Sequence, residues 1–139
     1  MLYYIVYQGH GPEWYYGSHY DDEWEWMLTE LIQYDMKNGR KRVIAERAIS
    51  YNMIEDKLFY STRGADPDGG DFFRNTALYS VDLKTYKTNP ILKVPARRIN
   101  ICNDKLFFTR ADQAYEKVYI CNFDGSDFQE IEYVINKSW

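Results

Sequence analysis

The amino-acid sequence repeats itself with a long period. The stretch "AISYNMIEDKLFYST", from Ala48 to Thr62, returns as "RRINICNDKLFFTR", from Arg97 to Arg110, at an offset of 48 residues. The first six residues, "MLYYIV", match the second half of the same unit. A period in this range is typical of architectures in which each repeat is one small structural unit that packs on its neighbours. The repeat therefore constrains the fold more than any other feature of the chain.

A second repeated pattern is interleaved with the first. It reads "LIQYDMKNGRK" from Leu31, "LYSVDLKTYKT" from Leu78 and "VYICNFDGSDF" from Val118, with spacings of 47 and 40 residues. In each copy, alternating apolar residues precede Asp or Asn, and a turn follows. Asn38-Gly39 and Asp124-Gly125 are strong hairpin signals, because such turns require positive φ angles.

Together the two patterns predict four short strands in each period. Outside an ambiguous stretch at 24–32, no segment has a sustained helical period. The predicted strands are Leu2–Tyr7, Leu28–Asp35, Lys41–Glu46, Ala48–Ile54, Leu58–Thr62, Ala77–Leu83, Pro90–Val94, Arg98–Cys102, Leu106–Arg110, Lys117–Phe123 and Phe128–Ile135.

Four-stranded units that recur every 40 to 50 residues or so are typical of β-propeller blades, and tandem hairpins of a β-sandwich are the alternative. We therefore predict an all-β fold with about three four-stranded antiparallel blades in a single domain, 1–139. The predicted blade units are 1–46, 47–95 and 96–139, with long loops at 8–27 and 63–76.

The repeated residues also carry a family resemblance. The cadence "INICNDKLFFTR … KVYICNFDGSDFQEI" resembles the six-bladed propellers of the low-density-lipoprotein-receptor family. It is most similar to the bacterial relatives, whose blades read like "INVxxDxIYYxN … LYKINLDGSN". The resemblance extends over nearly the whole chain outside the long loops, and it implies a propeller scaffold without catalytic residues. The Tyr-Trp-Thr-Asp box of the receptor branch is absent, so the resemblance does not imply receptor-type ligands.

Three blade units are too few to close a ring, which needs about four or more. The first unit also lacks its opening strand. Two copies could close a six-bladed ring, with the tail "VINKSW" adding the missing inner strand of the partner. The chain could instead be a fragment of a longer array, or an open stack that associates in another way. Because an open stack exposes apolar sheet faces, we expect self-association, in a homodimer or another closed assembly.

Composition supports the strand-rich prediction and limits the partners. Aromatic residues make up 18% of the chain and favour pleated, half-buried surfaces. No apolar stretch reaches the roughly 20 residues of a membrane span. The N-terminus has no basic segment or cleavage site of a secretory signal. These features predict a cytoplasmic protein or a piece of a longer exported one. Cys102 and Cys121 lie in apolar runs, and we expect both to be buried free thiols.

Charge is distributed unevenly along the chain. The net charge is −4, yet residues 1–36 contain seven acidic residues and no Lys or Arg. No basic stripe with interleaved aromatic residues is present, so we expect no nucleic-acid partner. The acidic first segment could instead meet Arg40–Arg42 or Arg97–Arg98 of another copy, since complementary charge guides association.

The first long loop contains the densest group of candidate binding residues. Aromatic rings beside carboxylates suit a protein hot spot, a sugar ring or a cationic group. The candidates are Trp14, Tyr15, Tyr16, Tyr20, Asp21, Asp22, Trp24 and Trp26. The same rings could equally cap an open sheet. We therefore predict a non-catalytic binding or scaffold module for protein–protein interaction that presents its long loops on one face, with a carbohydrate-binding module as the alternative.

Metal and catalytic chemistry have weaker support. "GADPDGGD" offers the carboxylates of Asp66, Asp68 and Asp71 to calcium, but it lacks the ligand spacing and the distal Glu of an EF-hand. Calcium is therefore a weak candidate, and we expect no other cofactor. A hydrolase centred on His19 is the remaining alternative. Its neighbours include Ser18 and Asp21, although catalytic triads are assembled in space and rarely from sequence neighbours.

Overall fold

The computed structural model describes residues 1–7, 29–62, 77–110 and 117–131. These segments form eleven β-strands and no helix. The first sheet has three strands, β1 Leu2–Tyr7, β2 Thr29–Tyr34 and β3 Lys41–Glu46. The second sheet has four, β4 Ala48–Ile54, β5 Lys57–Thr62, β6 Ala77–Asp82 and β7 Thr88–Leu92. The third sheet has four, β8 Ala96–Cys102, β9 Lys105–Arg110, β10 Val118–Asn122 and β11 Gln129–Ile131.

Each sheet is an antiparallel meander, in which every strand pairs with its neighbours in sequence. The three sheets occupy the three predicted units in order. The prediction of an all-β chain is confirmed, and every predicted strand bound that falls in the described residues lies within two positions of the observed one. The largest differences are at β7 and β8, each of which begins two residues early. Pro90 is accommodated because β7 is the edge strand, where a missing N–H does not interrupt the sheet.

The turns that close the second repeated pattern are longer than two-residue hairpin turns. The Gly39 N–H donates to the Asp35 carbonyl at 2.8 Å, and the Tyr86 N–H donates to the Asp82 carbonyl at 2.6 Å. Gly39 and Tyr86 both have positive φ, 72° and 60°. Asn38-Gly39 therefore predicted the position of the turn correctly but not its length. The hydrogen bond from the Gly39 N–H reaches the carbonyl of Asp35, four positions back, and so closes a longer turn.

The second sheet lies between the other two. Alternate residues of a strand point to opposite faces, and β5 shows the consequence. Leu58 and Tyr60 pack in one buried cluster with Leu31 of the first sheet. Phe59, between them in sequence, packs in a second cluster with Leu106 of the third sheet. The three sheets therefore form a stack with one apolar core at each junction.

The same type of hydrogen bond joins the first sheet to the second and the second sheet to the third. The Thr29 hydroxyl of β2 donates to the carbonyl of Ala48. The Ser61 hydroxyl of β5 donates to the carbonyl of Ala96. Ala48 and Ala96 are fully buried and 48 residues apart, each as the first residue of its sheet. The sequence repeat thus corresponds to a repeated junction between sheets.

The two cysteines have different environments. Cys121 is buried in the core between the second and third sheets, as predicted. The prediction was wrong for Cys102, which is exposed. Cys102 is the last residue of β8, next to the turn at Asn103 and Asp104, and an apolar strand end at a turn reaches solvent.

Candidate functional site: the outer faces of the end sheets

The candidate residues of the long loops lie outside the described residues. These are Trp14, Tyr15, Tyr16, Tyr20, Asp21, Asp22, Trp24 and Trp26, the calcium candidates Asp66, Asp68 and Asp71, and also Ser18 and His19. The tail "VINKSW" lies outside them as well. The strands that lead into the three undescribed connections end at Tyr7, Thr62 and Arg110. These ends have nearly equivalent positions in the repeat, within one residue of each other.

The third sheet has one face that no other described sheet covers. In β9, Leu106 and Phe108 point to the second sheet and are buried, so Phe107 and Thr109 point the other way. Residues that pair directly across strands share a face, and Phe107 pairs with both Asn100 and Ile120. We call Asn100, Phe107, Thr109, Val118 and Ile120 the outer face of the third sheet.

This outer face repeats the face of the second sheet that the third sheet covers. Phe59, the equivalent of Phe107, is 0% exposed, and its ring centroid lies 4.8 Å from that of Phe123. Phe107 is only half-buried. At the position equivalent to Ser80 the third sheet has the apolar Ile120. The outer face is therefore as apolar as a face that is buried elsewhere in the same chain.

Polar side chains show the same difference between the two sheets. The Asn52 side-chain amide donates to the Ile99 carbonyl of the next sheet at 2.8 Å. Its equivalent, Asn100, is exposed and donates to the carbonyl of Arg98 in its own strand, also at 2.8 Å. Thr109, the equivalent of Ser61, likewise donates to its own sheet. The polar side chains that donate from the second sheet to the third therefore have equivalents in the third sheet that donate within their own sheet.

The first sheet exposes apolar residues on the opposite end of the stack. Leu2 is 49% exposed, whereas its equivalent in the second sheet, Leu58, is fully buried. Met36 is 70% exposed, whereas its equivalent, Leu83, packs on the core between the first and second sheets. We call Leu2, Tyr4, Val6, Tyr34, Met36 and Val43 the outer face of the first sheet. Ile32 lies in the same cross-strand row as Tyr4 and Val43 and is buried.

A crevice of about 360 Å³ lies where the turns of the second and third sheets meet. Its lining includes carboxylates from Asp56, Asp82 and Asp104 and the amine of Lys84. The Lys84 Nζ atom lies 3.4 Å from Asp56 Oδ2, and both side chains are largely exposed. The crevice is thus open to water with part of its charge compensated. No group of three or more potential ligands in the described segments is placed to hold a metal ion.

The displaced pKa values in the described segments belong to structural groups. Burial raises the pKa of the Cys121 thiol to about 11, with a smaller contribution from Asp124. Burial also raises the pKa of Tyr60, whose ring stacks on Tyr79 with centroids 5.3 Å apart. Hydrogen bonds from Ser126 lower the pKa of Asp124, which stabilises the turn before β11. None of these groups combines with another described residue into an acid–base pair.

Comparison with known proteins adds no family assignment. No protein family, curated protein or solved structure matches this chain. Among the described residues, no helix has both the length and the apolar character that a membrane crossing requires.

Sequence reasoning expected an open stack to expose apolar sheet faces, but it placed its candidate site residues in the long loops and named none on the end faces. The signal that reveals them is the repeat itself. Aligning Phe107 with Phe59 and applying strand alternation places Phe107 on a face that a further repeat would cover. The described residues form three sheets, and none of them covers this face.

Proposed function

We propose that the protein is a non-catalytic binding or scaffold module that engages a protein partner. The observation that carries the proposal is the half-buried Phe107, on a face whose equivalent in the second sheet is fully buried. Exposed apolar surfaces of this kind mark sites of protein interaction, and aromatic residues are enriched among those that contribute most to binding.

We interpret the three sheets as consecutive blades of a propeller similar to the low-density-lipoprotein-receptor family, completed by association. Three features support this interpretation: the meander order within each sheet, the repeated junctions, and the position of the second sheet between the other two. The carbohydrate and hydrolase alternatives depend on residues 13–30 and His19. Since 13–28, which include His19 and all the aromatic candidates, lie outside the described ranges, no structural observation favours either alternative.

A photo-crosslinking amino acid at position 107 tests the proposal. Benzoylphenylalanine in place of Phe107 keeps an aromatic ring on the outer face and reacts with whatever packs against it. The matched control places the same group at Ile54, which is 41% exposed but lies in the turn crevice, away from both outer faces. We expect protein adducts from position 107 and not from position 54. Equal labelling at both positions, or no adduct at 107, would contradict the proposal.

The carbohydrate alternative has a separate test. Replacing Trp24 and Trp26 with Ala should leave the adduct at position 107 unchanged if the end face binds protein. A glycan-array signal that the native chain gives and this variant loses would instead favour sugar binding by the first long loop.

A further inference from the structure

We propose that the partner of the third sheet's outer face is the first sheet's outer face of a second copy, in a head-to-tail contact. This inference rests on the proposed function and names its partner. The argument comes from the two junctions already present within one chain, which supply a template for the contact.

Each internal junction joins two different faces. We call the face of a sheet that packs on the next sheet its forward face, and the face that packs on the preceding sheet its backward face. The forward face of the second sheet contains Phe59, and it packs on the backward face of the third sheet, which contains Leu106 and Tyr119. The first junction uses the equivalent pair, with Tyr3 and Leu31 facing Leu58 and Tyr60. One forward face and one backward face remain without a covering sheet among the described residues. They are the outer faces of the third and first sheets.

A second copy therefore carries the complement of each open face. In the internal template, the ring of Phe59 packs on that of Phe123, the residue directly after the Asp or Asn that recurs in the second repeated pattern. The equivalent of Phe59 is Phe107, and the equivalent of Phe123 in the first sheet is Met36. The contact thus places Phe107 of one copy on Met36 of the second copy, and both of these side chains are accessible in the isolated chain. Thioether–aromatic contacts of this kind are favourable.

The internal junction supplies a template for the apolar contact of Phe107 with Met36, but it supplies no template for a hydrogen bond from Asn100. Asn52 donates to Ile99 in β8, the first strand of the third sheet. The described part of the first sheet has no strand equivalent to β4 or β8. Asn100 therefore has no acceptor in the described part of the first sheet that is equivalent to the Ile99 carbonyl. The test accordingly uses Phe107 and Met36.

Because the two faces differ, the contact is heterologous, and it either closes into a ring or continues as a filament. Two copies, each with three sheets, would close a ring of six. Charge can guide this approach, since residues 1–36 contain seven acidic residues and no Lys or Arg, whereas the remainder carries a net positive charge.

Light scattering on the purified full chain is the first measurement. We expect a mass twice that of one chain, and Phe107→Asp should weaken association by roughly 30-fold or more, the effect of a hot-spot residue. Met36→Asp should do the same, and its exposed loop position makes loss of folding an inadequate explanation. Ile54→Asp is the control and should leave the mass unchanged. A native chain with the mass of one copy at every concentration would overturn the inference.

Disulfide trapping then tests the head-to-tail arrangement. Phe107→Cys and Met36→Cys are made separately in a Cys102→Ser background, so that the remaining native thiol is the buried Cys121. Mild oxidation should link the two variants only when they are mixed. A link between two copies of Phe107→Cys would show a symmetric contact and overturn the proposal.

The outcomes separate this inference from the proposed function. A monomeric native chain that still gives an adduct with a different protein from position 107 contradicts the second-copy partner alone. A monomeric chain with no adduct from that position contradicts both.

Discussion

The Asn52 side-chain amide donates a hydrogen bond of 2.8 Å to the carbonyl of Ile99 and so links the second sheet to the third. The Asn52 side-chain oxygen also accepts a hydrogen bond from the Met53 N–H at 2.8 Å. One side chain therefore satisfies a carbonyl of the neighbouring sheet and a donor of its own strand. The contact forms at the junction where β4 and β8 run side by side.

Asn52→Ala should lower the free energy of unfolding by about 1–2 kcal/mol, because it leaves partly buried backbone groups without partners. The matched control is Asn100→Ala, at the equivalent position of the third sheet. Asn100 is exposed, so its loss should change stability by less than about 0.5 kcal/mol. Urea unfolding at one fixed protein concentration measures both variants. Equal losses would contradict a role for Asn52 in joining the sheets.

Gly125 should tolerate a side chain less well than Gly39. Both have positive φ, 88° and 72°. A Cβ atom at Gly125 would lie 2.5 Å from the Ile91 carbonyl oxygen, whereas at Gly39 the nearest atom is the Tyr34 hydroxyl at 3.8 Å. Gly39→Ala should cost about 1 kcal/mol from backbone strain alone. Gly125→Ala should cost roughly 3 kcal/mol, because the backbone of β7 must also move.

Thermal unfolding of the two alanine variants compares these costs directly. The glycine turn before β11 packs against β7, so the larger loss at Gly125 reports contact between the second and third sheets. Similar melting temperatures for the two variants would show that backbone strain alone sets the cost and that the close approach to Ile91 is unimportant.

Phe59 and Phe107 have the same place in the repeat but different environments. Phe59→Ala should destabilise the fold by about 3–5 kcal/mol, as expected for a fully buried aromatic side chain. Phe107→Ala should cost less than half as much at low protein concentration, where association contributes little. Chemical unfolding over a dilution series measures both effects. If Phe107→Ala were as destabilising as Phe59→Ala at the lowest concentration, its face would be part of the core of one chain.

The free energy of unfolding should fall between about pH 9 and 11 because of Cys121. Burial raises the pKa of this thiol from 9.0 to about 11 in the folded state. Its contribution is therefore fully present below the unfolded pKa and is lost as the pH rises through the folded pKa. The loss should reach roughly 2–3 kcal/mol, at about 1.4 kcal/mol per pKa unit, since the unfolded chain releases its proton first.

Cys121→Ala isolates this effect from the titration of the tyrosines and lysines. The stability difference between the native chain and the variant should shrink as the pH rises from 9 to 11. A difference that stays constant over this range would mean that Cys121 titrates alike in both states.

Sequence periodicity determined a large part of this architecture. The offsets of 48 and 47 residues, with alternation of apolar positions, were sufficient to predict eleven strands and their division into three units. They succeeded because strand alternation and turn formation are local and depend on residues close in the sequence. The length of the turns was less predictable. At Tyr86 a bulky residue adopts the positive φ that Gly39 adopts in the first unit, held by a hydrogen bond to Asp82.

Only the tertiary structure decided which repeated residues are buried. Phe59 and Phe107 have nearly identical neighbours in sequence, yet one is sealed at a junction and the other lies on an open face. Cys102 and Cys121 both follow apolar residues, and only Cys121 is buried. Burial depends on whether another sheet packs against the face in question, and that contact joins residues dozens of positions apart. The repeat by itself therefore determined the sheets, while their order in the stack decided which faces no other described sheet covers.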